Sequence, residues 1–160
     1  MARYYPVSPL FWSDEKVLTW SGDTRLLALY LLTCEHRNLE GLYRLPYAYI
    51  EADLDWDSTD VWKRMDHLIS QDFVRYDEGA RVVLLPKALR YHEPKSDPQI
   101  KGAVNALQEV PDTALWPDFL AAAREYAPRL YERLAPQPEG YGEGYGKGYA
   151  NGYREGVVLP

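Results

Sequence analysis

The side chains of this chain that could do chemistry are mainly cationic, and they are concentrated in its first two thirds. The set that could contact phosphate groups comprises Arg44, Lys63, Arg64, His67, Arg75, Arg81, Lys87 and Arg90. Arginine and lysine bind phosphate oxygens through charge-assisted hydrogen bonds. The set therefore predicts contact with the backbone of a nucleic acid.

Residues suited to catalysis, metal binding or cofactor binding do not form a recognisable pattern. Cys34 and His36 are two positions apart, and side chains at that spacing do not face each other on a helix. His67 and His92 have no metal-ligand spacing with the cysteine. No glycine-rich loop is present that could cradle a phosphate. We expect a protein that is not an enzyme, with no catalytic residues, no metal and no cofactor.

The composition is that of a soluble globular protein. The chain has 160 residues, of which 46% are hydrophobic and 26% charged, enough for a good core. No apolar run approaches the roughly 18 residues of a membrane span, and no signal peptide is evident. The single cysteine, Cys34, excludes an internal disulfide and fits a reducing compartment. We expect a cytoplasmic protein without a membrane partner.

The net charge of −6 limits the DNA hypothesis. Proteins that grip phosphates are normally basic over the gripping domain, yet acidic side chains outnumber basic ones between Arg3 and Arg90. Either a local basic patch contacts DNA, or the main partner is a protein. Both alternatives stay open at this point.

The elements that position the cationic set lie between Gly41 and Leu85. The pattern predicts a strand over 42–45, a helix over 47–54, a turn, a second helix over 59–71, and two strands over 73–76 and 81–85. Val61, Met65, Leu68 and Ile69 form the apolar face of the second helix. This order is typical of a winged helix-turn-helix, so the predicted fold is mainly α (α+β), with a β-hairpin wing and extra C-terminal helices.

The flanking segments complete a predicted division into three parts. Residues 1–92 form the winged-helix domain with its N-terminal arm, in which Ser13 caps a short helix. Asp23 or Thr24 then caps a central helix over 25–35 that is apolar all round and therefore buried on all sides. Residues 93–135 form a helical extension. Residues 136–160 contain repeated Gly-Tyr units and are expected to be disordered.

Several segments in this order resemble phage replisome organiser proteins. They are Tyr5–Asp14, Leu29–Cys34, Glu40–Pro46 and Lys87–Tyr91, and the Gly-Tyr units resemble those proteins as well. That family is similar to the N-terminal winged-helix domain of DnaD-type primosome proteins. The resemblance implies a role in replication initiation and primosome assembly, with DNA and a helicase or helicase loader as partners. The Tyr-x-x-x-Ile-x-x-x-Trp signature of the second DnaD domain is absent, so the chain looks like the first module nearly alone.

Each candidate surface also has an ordinary structural interpretation. On the second helix, Lys63, Arg64 and His67 could enter the major groove, or they could form a solvated face with Asp60 paired to Lys63 and Arg64. On the wing, the remaining arginines and Lys87 could follow the DNA backbone, or they could be scattered surface charge. The tyrosines of the tail could stack on single-stranded bases, although solubilising disorder is the favoured interpretation.

The N-terminal arm is rich in aromatic residues for its length. Aromatic residues are enriched at the cores of interfaces, so we predict an oligomer contact, most simply a dimer. The residues concerned are Tyr4, Tyr5, Phe11, Trp12 and Trp20. Packing of these side chains on their own domain is the alternative. For the whole protein, the alternatives to a replication adaptor are a winged-helix transcriptional regulator and an interaction module that does not bind DNA.

Overall fold

Helices surround a small antiparallel sheet in the computed structural model, which describes residues 4–135. The elements are a 3-10 helix (Pro9–Ser13), α1 (Glu15–Thr19), α2 (Gly22–Thr33), β1 (Leu42–Arg44), α3 (Tyr47–Leu54), α4 (Ser58–Ser70), β2 (Arg75–Asp77), β3 (Val82–Leu84), α5 (Ala88–Tyr91), α6 (Asp97–Gln108), α7 (Trp116–Tyr126) and α8 (Pro128–Leu134). The predicted mainly helical α+β class is confirmed. The Gly-Tyr tail lies outside the described residues.

The strand β3 occupies the centre of the three-stranded sheet, in the order β1-β3-β2. It pairs antiparallel with both neighbours, so that Leu84 is opposite Leu42 on one side and Arg75 on the other. Successive side chains of a strand point to opposite faces. Val83 therefore faces one hydrophobic cluster, while Val82 and Leu84 face the other.

The first cluster lies between the sheet and the helices α2, α3 and α4. Leu27 and Leu31 of α2 pack with Met65 and Leu68 of α4, and all four are fully buried. The hydroxyl of the buried Tyr43, on β1, donates a hydrogen bond of 2.7 Å to the carbonyl of Leu31. This bond fixes the sheet against α2.

The second cluster joins the opposite face of the sheet to the C-terminal helices. Leu42 and Leu84 pack there with apolar side chains that include Leu107, Phe119 and Leu130. The predicted extension thus shares a core with the sheet. The run from Val82 to Leu85 is buried throughout, so this strand has no solvated face.

Two predicted helix starts need correction by one or more residues. Asp14, not Ser13, is the N-cap of α1, because its carboxylate accepts hydrogen bonds from the amides of Lys16 and Val17. Ser21 is the N-cap of α2 and accepts from the amide of Thr24, which is itself inside the helix. A side-chain oxygen caps best when it reaches the second or third amide of the helix, which these two residues do.

The central helix is less buried than its sequence predicts. Leu27, Ala28 and Leu31 are inaccessible, but Leu26 is 45% exposed, so α2 has one face in solvent. The helix also ends at Thr33, two residues before its predicted end at residue 35. Arg37 beyond it is buried, with its guanidinium 4.9 Å from the centre of the Tyr5 ring.

Gly41 closes the loop before β1 in a conformation that only glycine adopts without strain. Its φ is +79°, and a Cβ placed there would lie 2.4 Å from the Cβ of Ala88. Its carbonyl accepts a 2.7 Å hydrogen bond from the amide of Leu85. The close approach aligns β1 with the end of β3.

Within residues 4–135, no helix combines the length and apolar character required to cross a membrane.

We predict that Gly41→Ala destabilises the protein by about 2 kcal/mol or more, because it adds left-handed strain and a steric clash in one step. Gly102→Ala is the matched control, since a Cβ in the middle of α6 meets nothing within 4 Å. The control should stabilise by about 0.5–1 kcal/mol through helix propensity. Denaturant unfolding of both variants measures the difference, and equal stabilities would contradict the assigned role of Gly41.

Candidate nucleic-acid interface

The helix α4 is built to present one polar surface. The carboxylate of Asp57 caps it by accepting a hydrogen bond of 2.8 Å from the amide of Asp60. Val61, Met65 and Leu68 are buried against the first cluster. Lys63 and His67 are consequently exposed, as the nucleic-acid hypothesis requires.

Arg64 does not belong to that exposed surface. Its guanidinium bonds to Asp60 at 2.8 Å and to Asp23 at 2.7 Å, and it lies 4.7 Å from the Trp56 ring centre. The hydrogen bond that Arg64 donates to the Asp60 carboxylate is the largest cause that raises the pKa of Arg64. The predicted ion pair between Asp60 and Arg64 is confirmed, and Arg64 joins α4 to the start of α2. We therefore leave Arg64 out of the candidate interface.

Arg75 is also paired within the fold. Its guanidinium lies 2.7 Å from the carboxylate of Asp118, at the start of α7. The pair lies on the sheet face that the extension covers, because Arg75 is opposite Leu84 in the register. This ion pair engages a residue that was predicted to contact DNA, and that contact stays a prediction.

Asp77, two residues further along β2, also joins the β2–β3 hairpin to the C-terminal helices, through hydrogen bonds. Its carboxylate accepts hydrogen bonds from the Thr113 hydroxyl at 2.6 Å, the Ala114 amide at 2.9 Å and the Ala80 amide at 3.0 Å. Partial burial alone would raise the pKa of Asp77, but these hydrogen bonds, together with one from Gly79, hold the pKa below its ordinary value. These bonds therefore fix both the strand β2 and the turn of the β2–β3 hairpin.

Arg44 and Arg81 form the one pair of predicted cations that the sheet brings together. The amide of Leu45 donates a 2.8 Å hydrogen bond to the Arg81 carbonyl, and Arg44 is opposite Val82. Both arginines are exposed. Burial raises the pKa of Tyr76 to about 12, while the charges of Arg81 and Arg44 act to lower it, so both guanidinium groups lie near that hydroxyl.

Lys87 and Arg90 lie beyond the opposite end of β3. Both are exposed, and the Arg90 guanidinium is 5.9 Å from the centre of the Tyr91 ring. The eight predicted residues therefore do not form one patch. They divide into the Arg44–Arg81 pair, the exposed α4 residues Lys63 and His67, the Lys87–Arg90 pair, and two arginines engaged in structural ion pairs.

The N-terminal arm separates into exposed and packed aromatic residues. Tyr4 is 83% and Trp12 is 57% exposed, whereas Phe11 packs partly against the first cluster. The Tyr5 hydroxyl donates a hydrogen bond to the carbonyl of Arg37. Tyr4 and Trp12 remain available for an oligomer contact.

Trp20 is a core residue, and its prediction as an oligomer contact is corrected. It is only 4% exposed, and its ring packs edge-on against Phe73 at 5.4 Å between centroids. The ring of His67 lies 6.5 Å away in a similar edge-on arrangement. Trp20 lies at the end of α1, and the hydrophobic residue Phe73, which follows α4, packs against it in the folded chain.

Trp62 is the most exposed large apolar side chain on α4, and it was not among the residues predicted to form a site. Trp62 is 55% exposed, and Ile69 is 37% exposed although it was predicted on the buried face. Both residues lie at the edge of the helical stripe defined by Val61, Met65 and Leu68, about 70–90° from its centre at 100° per residue. That angle could have been read from the sequence, and it would have separated Trp62 and Ile69 from the core.

Comparison of the chain with family models, with characterised proteins and with solved structures finds no match. Among residues 4–135, no group of three or more His, Cys, Asp or Glu side chains is arranged to hold a metal ion. The function of this chain is therefore inferred from the geometry of the surfaces described above.

We predict that Asp77→Ala lowers the free energy of unfolding by about 1–3 kcal/mol, because it leaves partners on the wing and the extension unbonded. Glu78→Ala, at the exposed neighbouring position, should change it by less than about 0.5 kcal/mol. Chemical denaturation of both variants measures this difference.

The same pair of variants has a predicted pH dependence. Because the folded pKa of Asp77 is lowered, its ionised form stabilises the fold above the unfolded value of about 3.9. That contribution is lost as the pH falls through the folded pKa. The stability gap between wild type and Asp77→Ala should therefore be widest near neutral pH and narrow below about pH 4. A gap that does not change with pH would contradict the role of the carboxylate.

Proposed function

We propose that this protein is a winged helix-turn-helix adaptor in the initiation of DNA replication, not an enzyme, that acts in the cytoplasm as a replisome organiser. The observation that carries the proposal is the element order after α2. It runs β1, the α3–α4 corner, and then the β2–β3 hairpin, with β3 paired to β1 in the centre of the sheet. This arrangement supports the winged-helix assignment, since it places a hairpin beside a two-helix corner.

The distribution of cations supports weak DNA contact rather than sequence reading. Arg44 and Arg81 are adjacent and exposed beside the wing turn, where arginine contacts the DNA backbone without reading bases. On α4, Arg64 is engaged with two carboxylates, so Lys63 is the remaining strong cation of that helix. A transcriptional regulator would need a helix surface that reads base edges, which this charge pattern does not favour.

An interaction module that does not bind DNA is the second candidate. The observation that favours it is the acidic α3–α4 corner, where Glu51, Asp53, Asp55, Asp57 and Asp60 occur without an intervening basic residue. These carboxylates would repel phosphates at the start of α4. The adaptor proposal accommodates them by assigning DNA to the wing and a replication protein, such as a helicase or its loader, to another surface.

We predict that the double variant Arg44→Glu/Arg81→Glu binds duplex DNA more weakly and with a smaller salt dependence. Each lost phosphate contact should reduce the slope of log affinity against log salt by about 0.9. Fluorescence anisotropy with a labelled random duplex of about two helical turns, over a series of salt concentrations, measures the affinity and the slope.

Lys101→Glu/Arg124→Glu is the control with the same change in charge, since both residues are exposed on α6 and α7. The wild-type protein should bind random duplexes weakly, with a steep salt dependence and little sequence preference. A duplex bound at least about 10³-fold more tightly than random sequence would indicate a regulator. No binding at low salt would indicate the interaction module, and equal effects of the two double variants would overturn the wing assignment.

We further propose that the exposed side of the arm forms a homo-oligomer contact. Leu10 is 73% exposed and Leu18 is 55% exposed, in the same N-terminal segment as the exposed Tyr4 and Trp12, so this segment carries four exposed apolar side chains. Self-association would remove this surface from water.

We predict that wild-type protein scatters light as a dimer and that Trp12→Ala shifts the mass towards the monomer. Trp62→Ala is the matched control, because the two tryptophans are 57% and 55% exposed. A monomeric wild type, or an equal shift in both variants, would contradict the arm contact.

A further inference from the structure

Two large apolar side chains are exposed along one flank of α4. Trp62 is 55% exposed and Ile69 is 37% exposed, and Asp66 lies on the same flank between them. Positions i, i+4 and i+7 of a helix share a face, and seven residues span about 10.5 Å. Tryptophan is among the residues most enriched at the energetic centres of protein interfaces. This flank therefore has the size and the residue type of an interface core.

The surroundings of this flank are acidic. Asp55 and Asp57 are exposed at the N-terminal end of α4, one to two turns before Trp62. Glu78 is exposed in the wing turn. Burial, the neighbouring Tyr76, and the charges of Glu78 and Asp66 all raise the pKa of Tyr47. The Tyr47 and Tyr76 rings are stacked at 4.4 Å, and the charges of Glu78 and Asp66 both act on Tyr47 of this aromatic pair.

We propose that the flank of α4 formed by Trp62, Asp66 and Ile69 is a docking surface for a basic amphipathic helix of a partner protein. The apolar side chains of that helix would cover Trp62 and Ile69. Its lysines and arginines would face Asp66 and Glu78 on the wing side, and Asp55 and Asp57 at the helix start. Charge complementarity of this kind steers encounter and excludes partners of the opposite sign.

The same surface is not suited to binding DNA. A phosphate backbone would meet the exposed carboxylates of Asp66 on α4 and Glu78 in the hairpin turn, and Asp57 already occupies the amide end of α4 that would otherwise attract an anion. The Arg44–Arg81 pair is a separate surface, on β1 and at the start of β3. The inference deepens the proposed adaptor function and depends on it for the existence of a protein partner. The test below requires no DNA binding, so the two can fail separately.

The probe is a labelled synthetic helix of about 18 residues with leucine on one face and lysine on the other. Two comparison peptides replace lysine with glutamate, or leucine with alanine. We expect the full-length protein to bind the Leu/Lys peptide, and to bind each comparison peptide at least about tenfold more weakly, a difference of about 1.4 kcal/mol. Fluorescence anisotropy gives the three affinities.

Trp62→Ala and Asp66→Lys should each weaken binding of the Leu/Lys peptide, by about tenfold for the tryptophan. Tyr91→Ala and Asp112→Lys are the matched controls, since Tyr91 is an exposed aromatic residue at the end of α5 and Asp112 is exposed beyond α6. Both controls should bind as wild type does. Circular dichroism verifies that all four variants are folded, which the exposure of the replaced side chains favours.

Several results would overturn the inference. One is an affinity for the Leu/Lys peptide that Trp62→Ala leaves within about twofold of wild type. Another is an equal loss in the Tyr91→Ala control, or equal binding of the Ala/Lys peptide, which would indicate non-specific attraction to an acidic protein. If Trp62→Ala weakens duplex DNA binding while peptide binding is unchanged, the surface belongs to DNA. An arginine-pair variant that loses DNA but keeps the peptide would support the separation of the two surfaces.

Discussion

Burial of β3 on both faces is the constraint on which the rest of the structure depends. A strand in the middle of an antiparallel sheet commonly has one solvated face, yet Val82, Val83 and Leu84 are all inaccessible. Each such side chain contributes about 1.5–3 kcal/mol by leaving water. The α2–α4 helices cover one face, and the C-terminal helices cover the other. The extension is therefore required to complete the core around the sheet, and the hairpin cannot move independently of it.

This constraint also determines which charged side chains remain available. Because the extension lies against the outer face of the sheet, Arg75 meets Asp118 and Asp77 meets the loop before α7. Half-exposed ion pairs contribute little to stability by themselves, about 0–1 kcal/mol. Here the contacts of Arg75 and Asp77 orient the β2–β3 hairpin. Arg81 and its neighbour Arg44 are the exposed cations beside the hairpin turn. The exposed positive charge beside the turn of the β2–β3 hairpin is thus a consequence of packing on the sheet face that the C-terminal helices cover.

The sequence predicted the elements between Gly41 and Leu85 well, because their signals are local. Pro46 before α3, the Asp57 cap of α4 and the turn around Gly79 all act over a few residues, and α3 has its predicted bounds. The ion pairs that engage Arg64 with Asp23 and Arg75 with Asp118 could not be predicted in the same way, because each joins residues distant in sequence. Trp20 was misassigned for the same reason, since Phe73 covers it only in the folded chain. Composition indicated an acidic protein, but only the fold shows where the acidic and basic surfaces separate.

On the proposed assignment, the two candidate surfaces are held at a fixed distance and orientation. Arg64 joins α4 to α2 through Asp23, and Tyr43 joins the sheet to the same helix through Leu31. The wing is bonded to the extension through Asp77. A helix docked on α4 and a DNA backbone along the wing would therefore be presented to each other without a hinge between them. Such an adaptor would work by geometry alone, since rigid presentation avoids the entropy of ordering two mobile surfaces when both partners bind.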